Sequence, residues 1–142
     1  ADAALFNINS STGAVTFKAS PNFEAPSDVG GNNVYDFSVV ASDGTLQTSK
    51  AVALTVTNVN EAPVVTSAAT ASVAENVSTS TAVYTAAATD PENTSIIYSL
   101  TGADAALFNI NSSTGAVTFK ASPNFEAPSD VGGNNVYDFS VV

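Results

Sequence analysis

Apolar residues alternate with polar ones in short runs along this chain, and the runs recur every ~8 to 15 positions between clusters of Gly, Pro, Asn and Asp, as expected of short antiparallel strands in a sandwich. Tyr35, Phe37, Val39 and Ala41 alternate with Asp36, Ser38, Val40 and Ser42, so a period of two puts the aromatics on one face. Helical periodicity is essentially missing. The pattern predicts strands over 6–9, 14–17, 35–42, 51–58, 64–67, 71–73, 82–89, 95–100, 108–111, 116–119 and 137–142. Ser112-Ser113-Thr114-Gly115 predicts a hairpin turn, with glycine supplying a positive φ.

The pattern also repeats. Residues 1–40 recur letter for letter as 103–142, an offset of 102 residues, which is the size of a domain and far longer than a solenoid unit. A chain built this way is read as part of a tandem array of beads. Val59-Asn60-Glu61-Ala62-Pro63 follows the longest alternating run and ends in proline, which places the boundary between beads there. Residues 1–60 are then the C-terminal part of one repeat, and 61–142 the N-terminal part of the next without its last strand.

Charge narrows the chemistry. Three lysines (Lys18, Lys50, Lys120) and no arginine face 13 acidic residues, for a net charge of −10. Such a balance repels phosphate backbones and anionic lipid heads and favours cations as partners. Cysteine and histidine are absent, which removes disulfides, thiolate or imidazole metal sites and the usual nucleophiles and bases. There is neither a membrane-length apolar run nor a basic-then-apolar leader, so the segment reads as soluble and interior to something longer. Richness in Ser, Thr, Asn, Ala and Val suits an extracellular β-protein.

In the frame of one repeat, taken across the two copies, seven short motifs follow one another: Ser72-Val73-Ala74-Glu75-Asn76, Ala88-Thr89-Asp90-Pro91-Glu92-Asn93, Phe108-Asn109-Ile110, Thr114-Gly115-Ala116-Val117, Pro123-Asn124-Phe125-Glu126, Ala41-Ser42-Asp43-Gly44 and Asn58-Val59-Asn60-Glu61-Ala62-Pro63. In this order they resemble the cadherin-like repeats strung in tandem in giant bacterial surface adhesins of the RTX-type extender kind. The resemblance implies a seven-stranded antiparallel Greek-key β-sandwich, and calcium held where successive beads meet.

On that reading the ligands are Asn22, Glu24, Asn58, Asn60, Glu61, Asp90 and Glu92, with partial sites at Asp43, Glu75, Asn124 and Glu126. Calcium wants six to eight hard oxygens, which carboxylates and amides supply, and apposed carboxylates repel without a cation. Asn22, Asn124 and Asn58 stand where the resembled motifs carry aspartate. Each swap keeps an oxygen and removes a charge, so binding is expected toward the roughly 10⁻⁴ to 10⁻³ M range of extracellular modules. Isolated Asp and Asn in turns also cap local backbone, which is the competing account of every one of these residues.

Other chemistry is thinner. Asp90 with Glu92 is a carboxylate pair of the kind that hydrolyses glycosides, but no loop insertion builds a pocket around it, and no catalytic role is expected. Asn9, Asn76, Asn93 and Asn111 open N-x-Ser/Thr sequons, which a Ser/Thr-rich chain produces by chance. Lys18 and Lys120 would permit an isopeptide crosslink without requiring one, and Phe23 and Phe125 lie beside the ligand loops as packing or sugar-stacking rings. The expected function is a structural extender of a long cell-surface adhesin or filament, serving adhesion or biofilm attachment. Its expected partners are neighbouring repeats of the same or identical chains, with cell-surface glycans or proteins beyond them. The alternatives are a homophilic or glycan-binding bead, and a filament subunit completed by a donated strand.

Overall fold

The computed structural model describes all 142 residues. They form two compact units, Ala1–Asn60 and Glu61–Val142. Both are all-β apart from a single 3₁₀ turn in each, and every strand pairing is antiparallel.

In the first unit the 3₁₀ turn Ala3–Leu5 leads into β1 (Phe6–Ile8), which pairs with β2 (Val15–Phe17) so that Phe6 faces Phe17 and Ile8 faces Val15. The turn between them closes because the Asn9 side chain accepts the N–H groups of Ser11 and Thr12 at 3.0 and 3.1 Å, while Gly13 takes a φ of +73°. β3 (Val34–Ser42) and β4 (Gln47–Thr55) then form a nine-pair ribbon from Val34↔Thr55 to Ser42↔Gln47. Asp43 turns this corner, accepting the N–H groups of Thr45 and Leu46 at 2.8 and 2.7 Å.

The second unit holds β5 (Val64–Val65), β6 (Tyr84–Thr85), β7 (Ala88–Thr89), β8 (Leu100–Thr101), β9 (Phe108–Ile110), β10 (Ala116–Phe119) and β11 (Ser140–Val141). β6, β10 and β9 form one sheet in that order, β5 pairs with β7, and β11 pairs with β8. Phe108, Val117 and Phe119 are buried at its centre, with Val83, Tyr84, Leu100 and Phe139 packed around them. Ring pairs tie the core together: Phe108 lies 4.5 Å from Phe119, and Tyr137 meets Phe119 edge-on at 5.0 Å, geometries that aromatic quadrupoles favour. The first unit repeats this with Phe6–Phe17 at 4.5 Å and Phe17–Tyr35 at 5.1 Å.

Several strands differ from the expected bounds. The run 82–89 breaks into β6 and β7 because it changes partner midway: Tyr84–Thr85 pairs with β10 and Ala88–Thr89 with β5. At the break, Ala86 N–H donates to Gly115 O, and Ala87 O accepts from Thr66 and Ser67. Residues 71–73 form no ladder at all. The 51–58 strand slides to Gln47–Thr55 because the Asp43 turn sets its register. The 95–100 run keeps a single bond from Tyr98 N to Ser112 O at 2.8 Å and a reciprocal pair between Ser99 and Val142 that leads into the short β8.

Candidate metal centre

The ligands read from the sequence fall on loops whose shape depends on the same side chains. In the second unit, Asp90 Oδ1 accepts the Thr94 N–H at 3.0 Å and Asp90 O accepts Asn93 N–H, so a turn holds the Asp90-Pro91-Glu92-Asn93 loop, with Asn93 at a φ of 56°. The turn sets Glu92 beside the start of the unit. Glu61 N–H makes a long 3.4 Å hydrogen bond to Glu92 Oε2, and the two side chains place carboxylate oxygens within 4.8 Å of each other. The other Glu92 oxygen, Oε1, is buried and has no hydrogen-bond partner.

Two carboxylates this close, one with an unsatisfied buried oxygen, are costly unless something positive compensates them. Lys120 is the one lysine of the unit, and its ammonium donates to Ala106 O at 2.7 Å. A cation with oxygen ligands at about 2.3–2.6 Å spans oxygens up to about 5 Å apart, so Glu61 and Glu92 fit a calcium-sized ion.

The remaining candidates are arranged differently. At Asn22 the amide oxygen accepts Glu24 and Ala25 N–H groups at 2.8 and 3.2 Å, which shapes the loop that carries Glu24 on the surface of the first unit. Asn124 does the same for Glu126 at 3.0 Å. Glu75 Oε2 accepts Phe125 N–H at 3.1 Å, and Asn76 N–H donates to Pro123 O, so the Glu75 segment and the 123–126 loop are held together by hydrogen bonds. Asp43 caps its turn, and those two backbone donors hold its carboxyl below the usual carboxylate range. Asn58 and Asn60 lie in the irregular segment after β4.

No protein-family model matches the chain, and no curated protein matches it. Among solved structures, the crystal structure of human protocadherin-24 EC1-2, form II, matches with a TM-score of 0.62 at 20% identity, covering 99% of this chain and 72% of that one. The fold is cadherin-like. Identity this low carries architecture, and function has to be argued from residues. In this cadherin-like chain no helix is long and apolar enough to cross a membrane.

The sequence reading missed another set of carboxylates. Asp104 is 2% exposed and sits just before the 3₁₀ turn Ala105–Leu107, yet its side chain does not cap that turn. Its two oxygens instead accept Val131 and Asp138 N–H groups, both at 2.7 Å, clipping the 131 loop to the strand end. Asp2 makes the same clip to Val29 and Asp36 in the first unit, and these donors lower its pKa. Asp28 and Asp130 organise the Gly-Gly-Asn-Asn loops, each accepting two backbone N–H groups at 3.0 Å. The available signal was the Gly-Gly-Asn-Asn run itself, where Gly31 and Asn33 take φ of 60° and 61°.

Proposed function

We propose that this chain is a non-catalytic extender module of a long extracellular adhesin or filament, and that calcium at the Glu61–Glu92 end of each repeat sets its rigidity. The observation that carries this reading is the apposition of Glu61 and Glu92, with Glu92 Oε1 buried and unpartnered. Glu61 and Glu92 would hold the ion directly. Asp90 spends Oδ1 on its turn and would contribute its other oxygen. The ion would neutralise the pair, tying the start of the repeat to the Asp90 loop. The cadherin-like fold and the letter-for-letter repeat support an extender, since copying a bead adds length before anything else. Neighbouring repeats are the proposed partners, and a surface glycan or protein would be met elsewhere in such an array.

A calcium titration of the melting temperature at fixed ionic strength tests this. With a Kd near 1 mM, 10 mM calcium adds about 1.4 kcal/mol, a rise of about 5–10 °C in a unit this size. Glu92→Gln keeps an acceptor for Glu61 N–H and removes the charge, so it should abolish most of the rise. Coincident melts with and without calcium would leave these acidic loops as turns only.

A further inference from the structure

The Asp90 loop leaves from β7, and β7 is held along both of its edges. Against β5 it runs in the register Val64↔Thr89 and Val65↔Ala88, and Ala87 O accepts the Thr66 N–H at 2.8 Å. Bonds alternate between the two sides of an antiparallel strand, so Ala88, one residue on, turns its N–H to the opposite edge. No strand pairs with β7 there. The Ala88 N–H is accepted instead by the Tyr98 hydroxyl at 3.1 Å, and both residues are half-buried.

Tyr98 is itself anchored. Its N–H donates to Ser112 O at 2.8 Å, in the turn where the Asn111 side chain accepts the Ser113 and Thr114 N–H groups, each at 3.0 Å. The far end of the same turn takes Ala86, whose N–H donates to Gly115 O at 2.9 Å. One hairpin turn therefore fixes Ala86 directly and Ala88 through the Tyr98 side chain. Ten residues separate Ala88 from Tyr98, and the Asp90 turn, with the Thr94 N–H on Asp90 Oδ1, lies between them. The hydroxyl closes the base of the loop that presents Glu92.

We propose that Tyr98 is a positioning residue of the cation site: by holding Ala88, its hydroxyl keeps the Asp90 loop in the arrangement that sets Glu92 beside Glu61. The inference rests on the calcium reading, and it gives Tyr98 no part as a ligand. A loop fixed before the ion arrives binds with its full intrinsic affinity, whereas a loop that also visits other arrangements binds with an affinity reduced by the competent fraction. Loss of one hydrogen bond at the base of the loop should weaken calcium about fivefold.

Tyr98→Phe in the full chain tests this, because it keeps the ring and removes only the oxygen. At about 10 mM calcium, a Kd raised about fivefold cuts the rise in melting temperature to about half. In chelator, without any ion, the Thr94 amide should exchange about fivefold faster than in the parent. Tyr137→Phe is the control: it removes a hydroxyl that meets Ser129 Oγ at 3.4 Å, and it should keep the full rise. A role in stability alone would lower the melts with and without calcium equally and leave the rise intact. That result, or unchanged Thr94 exchange, overturns the proposal. The two readings fail differently: a rise lost in Glu92→Gln but complete in Tyr98→Phe removes only the role of Tyr98. No rise in the parent removes the calcium reading and this inference with it.

Discussion

Forty residues occur twice in this chain, as 1–40 and 103–142, with no letter changed, and the two copies are packed differently. Val117 and Phe119 are only 0% and 4% exposed, in a core where β6 pairs with β10 and Val83, Tyr84 and Phe139 pack against the cluster. Their counterparts Val15 and Phe17 form β2, which pairs only with β1, and both are half-buried. At the other end of the segment the order reverses. β3 is a nine-residue strand under β4, whereas the same letters make only the two-residue β11 beside β8. Local features survive the change: both copies keep the Asp clip, the lysine-to-carbonyl bond and the four-ring cluster. What a segment encodes by itself is its turns and the parity of its faces. Burial and strand length come from the neighbour.

The largest test of that difference is Phe119→Ala against Phe17→Ala. Truncating a buried phenylalanine costs about 3–5 kcal/mol through lost transfer energy and the cavity left behind, most of the stability of a small domain. Phe17→Ala should cost the first unit about 1–2 kcal/mol, in proportion to its smaller burial. Amide exchange followed by NMR separates the two units, since identical letters in different surroundings give different resonances. Equal losses would mean that the two packings do not persist in solution.

A sharper comparison uses Gly13 and Gly115, which share a φ near +70° and differ in surroundings. A Cβ at Gly13 meets nothing within 4 Å, while one at Gly115 would lie 2.5 Å from the Ala86 carbonyl oxygen. Alanine costs about 1–2 kcal/mol at either site for the left-handed backbone. Gly115→Ala adds about 1–3 kcal/mol more for pushing the backbone of Ala86 aside. Urea midpoints of the two variants should differ accordingly, and coincident midpoints would place Ala86 away from the turn.

The same contrast explains what the sequence could and could not disclose. All-β architecture, the 112–115 hairpin turn with Gly115 at positive φ and the aromatic face of residues 35–39 follow from alternation and turn chemistry, and the structure has each of them. The partner change inside 82–89 was not legible, because Ala82 to Thr89 alternates no differently on either side of Ala86. Asp104 was missed for a related reason: its donors, Val131 and Asp138, lie 27 and 34 residues away, beyond any local pattern. Among the expected ligands, spacing put Asp90 and Glu92 on one loop, but only the fold shows that Asp90 Oδ1 serves the turn while Glu92 Oε1 is buried without a partner.

The smallest expected effect is acid sensitivity, and it falls unevenly because Asp43 stands in the first unit alone. Backbone donors hold the carboxyls of Asp2, Asp43 and Asp130 below the usual range. A carboxyl whose folded pKa is depressed contributes stability above its unfolded pKa, near 4 for aspartate, and loses it as pH falls through the lower folded value. Protonation also relieves self-repulsion in a chain of net charge −10, which opposes this loss across the same window. Asp43→Asn separates the two, because an amide oxygen can still accept from Thr45 and Leu46 and does not titrate. The first unit of Asp43→Asn should therefore lose less stability between pH 5 and pH 2 than that of the parent, with the second unit unchanged. An unaltered acid profile in the first unit would show that the Asp43 turn holds equally well with its carboxyl protonated.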